Sequence, residues 1–130
     1  MKSEVRNISV LVTGSSGYVG ADLIPRLKFQ KDVVGVDLCP SEYTDIEANI
    51  DSEKFRLLAE KLVCEELTVI NLAAARFDFG ATAQDYFEFN VECHQIFLQT
   101  LSKLRVTKFI HVSSVAAFDG RDIPYTEMLN

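Results

Sequence analysis

Val10-Leu11-Val12-Thr13-Gly14-Ser15-Ser16-Gly17-Tyr18-Val19-Gly20 joins an apolar β-branched run to an amphipathic segment through three glycines spaced GxxGxxG. The run, residues 8–12, predicts a strand buried on both faces, because a short apolar run rich in Val and Ile suits a parallel sheet covered by helices. The amphipathic segment covers about residues 19–29, with Val19, Leu23, Ile24 and Leu27 at helical spacing. Pro25 lies inside it, where a proline removes a hydrogen bond and tends to kink the helix. Each glycine has a mechanical reason: Gly14 makes the tight exit from the strand, Gly17 lets backbone approach a pyrophosphate, and Gly20 lets the helix lie close on the sheet. The exposed amides of this loop, which also carries Ser16 as a cofactor-binding candidate, and the dipole of the helix then suit bound phosphate. Glycine pairs also serve ordinary turns between strand and helix, so the loop alone leaves both readings open.

Outward from this loop, short continuous apolar runs alternate with longer amphipathic segments, the pattern of a parallel sheet with covering helices. Residues 31–37 (KDVVGVD) predict a second strand, residues 48–50 a short third, residues 67–74 (LTVINLAA) a fourth and residues 109–113 (FIHVS) a fifth. Residues 39–45 (CPSEYTD) have the composition of a surface loop, and helical support between Cys39 and Ala48 is weak. Ser52 is a fitting N-cap for a helix carrying Phe55, Leu58, Ala59 and Leu62 on one face. The longest helical signal spans residues 84–104, with Phe89, Cys93, Ile96, Phe97, Leu101 and Leu104 on or near one stripe. Beyond Asp119 the periodicity fades. With no internal repeat or linker, residues 1–130 are expected to form one α/β domain of five strands and four crossovers.

The second strand ends in Asp37, about 20 residues beyond the glycines, where a dinucleotide-binding fold places the acid that hydrogen-bonds a ribose diol. A carboxylate there repels a 2′-phosphate, and no Arg or Lys follows until Lys54, so NAD is favoured over NADP. Asp37 also reads as a plain turn former at a strand end.

Bulk composition narrows the partners. The 130 residues suffice for one domain, and 48% apolar with 25% charged residues, 6 Gly and 3 Pro exclude a disordered or collagen-like chain. A net charge of -6 makes nucleic acid a poor partner, although amides and dipoles can still hold a small anion locally. No apolar stretch approaches the ~20 residues of a membrane span. Glu4 ahead of a short apolar run is wrong for a signal peptide. Cys39, Cys64 and Cys93 are widely spaced and form no CxxC, so they read as reduced thiols of a cytoplasmic protein without metal or redox chemistry. His94 and His111 read as packed or solvated, since no metal-ligand spacing surrounds them.

Five blocks, VLVTGSSGYVG, VVGVD, VINLAAA, FEFNV and FIHVSS, stand in the order and spacing of the extended short-chain dehydrogenase/reductase family, which the chain resembles from Ile8 to about Glu127. That family includes NAD-dependent nucleotide-sugar epimerases and dehydratases. The resemblance implies a Rossmann-like parallel sheet of about five strands in the order 3-2-1-4-5, with helices on both faces. It implies that Tyr18 and Val19 lie along the pyrophosphate, Asn49 and Ile50 beside the adenine, and Leu72, Ala73 and Ala74 past the nicotinamide-side ribose. Asn49 stands where the family usually has Asp, and Asn71 replaces a histidine often found there. Asn90 resembles the family's helix asparagine, for which a buried residue satisfying backbone groups is the commoner role. The Ser113-Ser114 pair falls where the family has a catalytic Ser or Thr that hydrogen-bonds the substrate oxygen. Counting back from Phe118 favours Ser114, with Ser113 as the alternative, whereas counting back from Gly120 places Val115 there. The pair also reads as a cap on the strand exit.

The family's general acid/base is a tyrosine with a lysine four residues later, because a phenol at its ordinary pKa of ~10 is a poor base at neutral pH. Tyr18, Tyr43, Tyr86 and Tyr125 are followed at that distance by Asp22, Glu47, Asn90 and Leu129, so none makes the pair. We therefore expect the cofactor-binding portion of an epimerase/dehydratase, cut before its Tyr/Lys pair and its nucleotide-sugar lobe, that binds NAD without turnover. The alternatives are a non-catalytic dinucleotide-binding or sensing module and, further off, a protein interaction domain. Oligomeric state stays open: the family often forms homodimers through helices flanking the sheet, and the Tyr86, Phe87, Phe89 and Phe97 of the long helix exceed what one buried face needs.

Overall fold

A computed structural model describes residues 7–62, 64–73 and 82–112. Five strands, β1 (Val10–Thr13), β2 (Val33–Asp37), β3 (Ile46–Glu47), β4 (Leu67–Asn71) and β5 (Val106–His111), form one parallel sheet in the order β3-β2-β1-β4-β5. The strand that leads into the glycines is therefore central, and all four of its residues are buried. Val10 stands opposite Val33 on one side and Thr68 on the other.

Alternation along the strands sends side chains into two apolar layers. Val10, Val12 and Val33 meet Ile24 of α1 (Tyr18–Leu27) on one face. Leu11, Val34, Val36 and Val69 meet Phe55 and Ala59 of α2 (Glu53–Glu60) on the other. The second face also receives Phe97 and Leu101, from the end of a long helix made of α3 (Ala83–Phe87), a π-helical turn (Glu88–Cys93) and α4 (His94–Leu101). The Phe55 and Phe97 rings meet with centroids 5.8 Å apart and tie α2 to α4. A sheet covered on both faces is what the unbroken apolar strands require.

Local chemistry accounts for the element ends. Ser52 caps α2, its hydroxyl accepting the Phe55 N–H at 3.1 Å. Thr82 and Asp85 form a reciprocal capping box at the start of α3. The first helix continues past the exposed Pro25 and ends at Leu27, two residues short of the expected Phe29.

Three expectations need correction. The third strand is Ile46–Glu47, not residues 48–50, because the Asp45 N–H to Gly35 carbonyl (2.8 Å) and Ala48 N–H to Asp37 carbonyl (2.9 Å) bonds bracket the pairing there. Ala48 and Ile50 are buried beneath α2 instead. The fifth strand begins at Val106, three residues before Phe109: Lys108 pairs with Thr68 while facing solvent at this sheet edge, and Thr107 is passed over where the register shifts between Leu67 and Thr68. On the long helix Ile96 is 44% exposed while Thr100 is buried, so the buried stripe passes to one side of Ile96.

Candidate functional site

The loop after β1 turns on Gly14, whose φ of 74° is left-handed and favours glycine. Its N–H and that of Ser15 both reach the Val36 carbonyl, at 2.8 and 3.2 Å. A Cβ added at Gly20 would stand 2.4 Å from the Gly14 carbonyl oxygen, so α1 can sit on the loop only without a side chain there. Gly17 differs: an added Cβ would meet only the Gly14 oxygen, at 3.3 Å. The empty space over Gly17 faces solvent. Gly17 is also the N-cap of α1, with no side-chain cap bond and no acidic residue in the first turn. No side chain of the first turn offsets the positive end of the helix dipole.

This helix end opens on a cavity of about 650 Å³. Gly14, Ser16, Gly17, Tyr18, Val19 and Gly20 line one side; Asp37, Asn49 and Ile50 line the second; Leu72 and Ala73 line the third. These eleven residues are thus brought together around one space. Asn90 is not among the lining residues; it sits exposed in the π-helical turn, whereas its neighbour Phe89 does line the cavity. Ala74, Ser113 and Ser114 lie outside the described residues.

Asp37 is half-buried at the end of β2, and both carboxylate oxygens are already oriented. Oδ2 accepts the Ser16 N–H at 2.8 Å and Oδ1 accepts the Cys39 N–H at 3.0 Å. The Ser16 hydroxyl donates to the Cys39 carbonyl at 2.6 Å and meets the hydroxyls of Ser41 and Thr44 at 2.8 and 2.7 Å. The glycine loop is therefore laced to the connection between β2 and β3. Gly35 makes room for that connection, since an added Cβ would lie 2.0 Å from the Tyr43 carbonyl oxygen. Its N–H also donates to Asp45 Oδ2 at 2.9 Å. Sequence reasoning passed over Gly35, Ser41 and Thr44. A glycine inside a β-branched strand was the available signal, because it often marks close backbone approach.

A smaller cavity of about 230 Å³ adjoins the first and shares Asn49 and Phe89 with it. Asp51, Asp85, Glu88 and Cys93 complete its wall. Burial, and then the neighbouring Asp51 carboxylate, push the Cys93 thiol up to about 11. Glu42 beside Tyr43 raises that phenol above its ordinary value. Among the described residues no group of three His, Cys, Asp or Glu is placed to hold a metal ion. Nor is any described helix long and apolar enough to cross a membrane.

A sequence profile of the NAD dependent epimerase/dehydratase family matches residues 10–130. The chain belongs to that family. Solved structures share its fold. This epimerase-family chain is similar to ADP-L-glycero-D-manno-heptose-6-epimerase of Helicobacter pylori at 20% identity, with a TM-score of 0.73 over 98% of this chain and 45% of the other. It is similar to a short-chain dehydrogenase/reductase superfamily protein of Agrobacterium tumefaciens with bound NAD, at 24% identity and TM-score 0.72 over 92% of this chain and 36% of that one. A third is UDP-glucose-4-epimerase of Stenotrophomonas maltophila, bound to NAD and formylated UDP-arabinopyranose, at 24% identity and TM-score 0.69 over 92% and 41% of the two chains. The epimerase-family chain thus spans less than half the length of these structures. No curated protein matches it in sequence.

Proposed function

We propose that this epimerase-family chain binds NAD, in preference to NADP, as the cofactor-binding part of a nucleotide-sugar epimerase or dehydratase. The observation that carries the reading is Asp37, held by two amides at the rim of a cavity that the bare N-terminus of α1 also enters. A carboxylate oxygen has two lone pairs, so each Asp37 oxygen keeps one for a ribose hydroxyl after accepting its backbone N–H. A 2′-phosphate would set a second anion against that carboxylate, with no described cation bonded to Asp37 to offset it. The amides at the start of α1 face the diphosphate, and the exposed Tyr18 and Val19 lie along it. Leu72 and Ala73 carry the backbone past the nicotinamide-side ribose, while Asn49 and Ile50 border the adenine.

Bound NAD would supply a hydride acceptor. Ser114, or Ser113 beside it, would polarise the substrate hydroxyl, and the Tyr/Lys pair that moves the proton does not occur within these 130 residues. The chain by itself therefore binds the dinucleotide without turnover. We place it in the cytoplasm, in keeping with the free thiols of Cys39, Cys64 and Cys93. A homodimer through the long helix is supported by its exposed Phe87, Val91 and Leu98.

Titration calorimetry with NAD and NADP tests the reading. NAD should bind more tightly, and a preference for NADP would overturn the role given to Asp37. Gly17→Leu should weaken NAD binding roughly tenfold or more by filling the phosphate approach, which corresponds to ~1.4 kcal/mol. Unchanged affinity in that variant would place the diphosphate elsewhere.

A further inference from the structure

Thr13, Asn71 and His111 form a hydrogen-bonded line across three neighbouring strands, and every proton in it has a defined direction. The Leu72 and Ala73 N–H groups both donate to Thr13 Oγ1, each at 3.2 Å. With its lone pairs taken, the Thr13 hydroxyl donates its own proton to Asn71 Oδ1 at 2.5 Å. That orients the Asn71 amide, whose Nδ2 then donates to His111 Nδ1 at 3.1 Å. His111 Nδ1 therefore carries a lone pair, and the proton of the neutral ring sits on Nε2. Thr13 and Asn71 are 0% and 1% exposed, whereas His111 is exposed. One end of the line meets solvent, and the other holds backbone that lines the large cavity.

We propose that His111 is a positioning residue of the dinucleotide site, and that a proton on its imidazole weakens dinucleotide binding by way of Asn71 and Thr13. The proposal rests on the dinucleotide reading of the cavity. A protonated ring donates at Nδ1, which sets its N–H against the N–H of Asn71. With the ring held edge-on by His94, the amide relieves this by turning over, and Nδ2 then faces a Thr13 oxygen that already accepts two N–H groups. Leu72 N–H can fall back on the Thr13 carbonyl, which it also reaches at 3.2 Å, so the Ala73 N–H bears the loss. The displaced backbone abuts the glycine loop: a Cβ added at Gly14 would lie 3.0 Å from the Leu72 carbonyl carbon and 3.1 Å from the Ala73 nitrogen. A proton taken up at the surface is thus felt where the loop cradles its ligand.

Among the described residues, the titratable group facing His111 from the helix side is His94, with ring centroids 6.2 Å apart and planes at 85°. From the strand side Asn71 faces it and does not titrate. His94 donates from Nδ1 to the Phe89 carbonyl at 3.0 Å, and its buried Nε2 has no partner among the described residues. A charge on His94 would add repulsion to the same line, so the two rings must be separated experimentally.

NAD calorimetry on the chain at several pH values between about 8 and 5.5 covers the interval in which imidazoles change charge. Affinity should fall roughly threefold to tenfold toward the acid end, the equivalent of one hydrogen bond. His111→Gln, whose side-chain oxygen can accept from Asn71 at any pH, should show a flat profile, while His94→Gln should keep the fall. A wild-type profile without a fall, or a fall that survives in His111→Gln, overturns the proposal. If NAD does not bind even at pH 8, the dinucleotide reading fails instead. Amide NMR without ligand then decides the line itself: the Leu72 and Ala73 resonances should move in step with the His111 ring, and amides that stay fixed while the ring titrates overturn it.

Discussion

Cys93 is 5% exposed at the base of the smaller cavity, and its neutral thiol is favoured by burial first and by the Asp51 carboxylate second. Its ordinary value is 9.0 and the folded one about 11. The resulting stabilisation is complete below pH 9 and is lost as pH rises toward 11, because only the unfolded thiol ionises in that window. The urea midpoint should therefore drop between those two pH values, and Cys93→Ala should drop less. At this scale the glycine turn after β1 and the place of Asp37 at the end of β2 were legible, since both follow from short spacings that a linear reading can measure. The role of Asn71 was not. Its partners Thr13 and His111 lie 58 and 40 residues away along the chain, and only the sheet brings them together.

Among elements, the connection from β2 to β3 is the surface loop that its composition suggests, with residues 39–42 exposed. Composition did not show what ties it down: its Ser41 and Thr44 hydroxyls bond to Ser16 of the glycine loop, and its Tyr43 carbonyl presses on β2 at Gly35. Gly35→Ala would place a methyl against a backbone oxygen that cannot swing aside. Denaturant unfolding should register a loss of about 1–3 kcal/mol, the usual cost of overpacking. A wild-type midpoint would mean that the connection can lift off β2. The helix on Ser52 was legible because its cap and its apolar face are local. The start of β5 was not, because an edge strand accepts Thr107 and Lys108 in positions that an interior strand would refuse.

For the molecule as a whole, alternating apolar runs were enough to anticipate a parallel sheet covered by helices, and the family resemblance supplied its order, β3-β2-β1-β4-β5. Its surface is less even than a charge of -6 suggests. Phe87, Val91 and Leu98 are 50%, 38% and 49% exposed along the long helix. Light scattering at micromolar concentration should give twice the mass of one chain, and Leu98→Lys should give a single chain; a monomeric wild type would refute pairing through this helix. The central place of β1 also carries a cost in time. Val10 finds its two neighbours, Val33 and Thr68, only 23 and 58 residues further along. A ribosome would release the most apolar strand long before β4 arrives to shield its second edge. Sheets closed by such distant pairings fold slowly, and their unpaired strands invite aggregation meanwhile. The strand that leads into the glycine loop is thus also the one most dependent on help during synthesis.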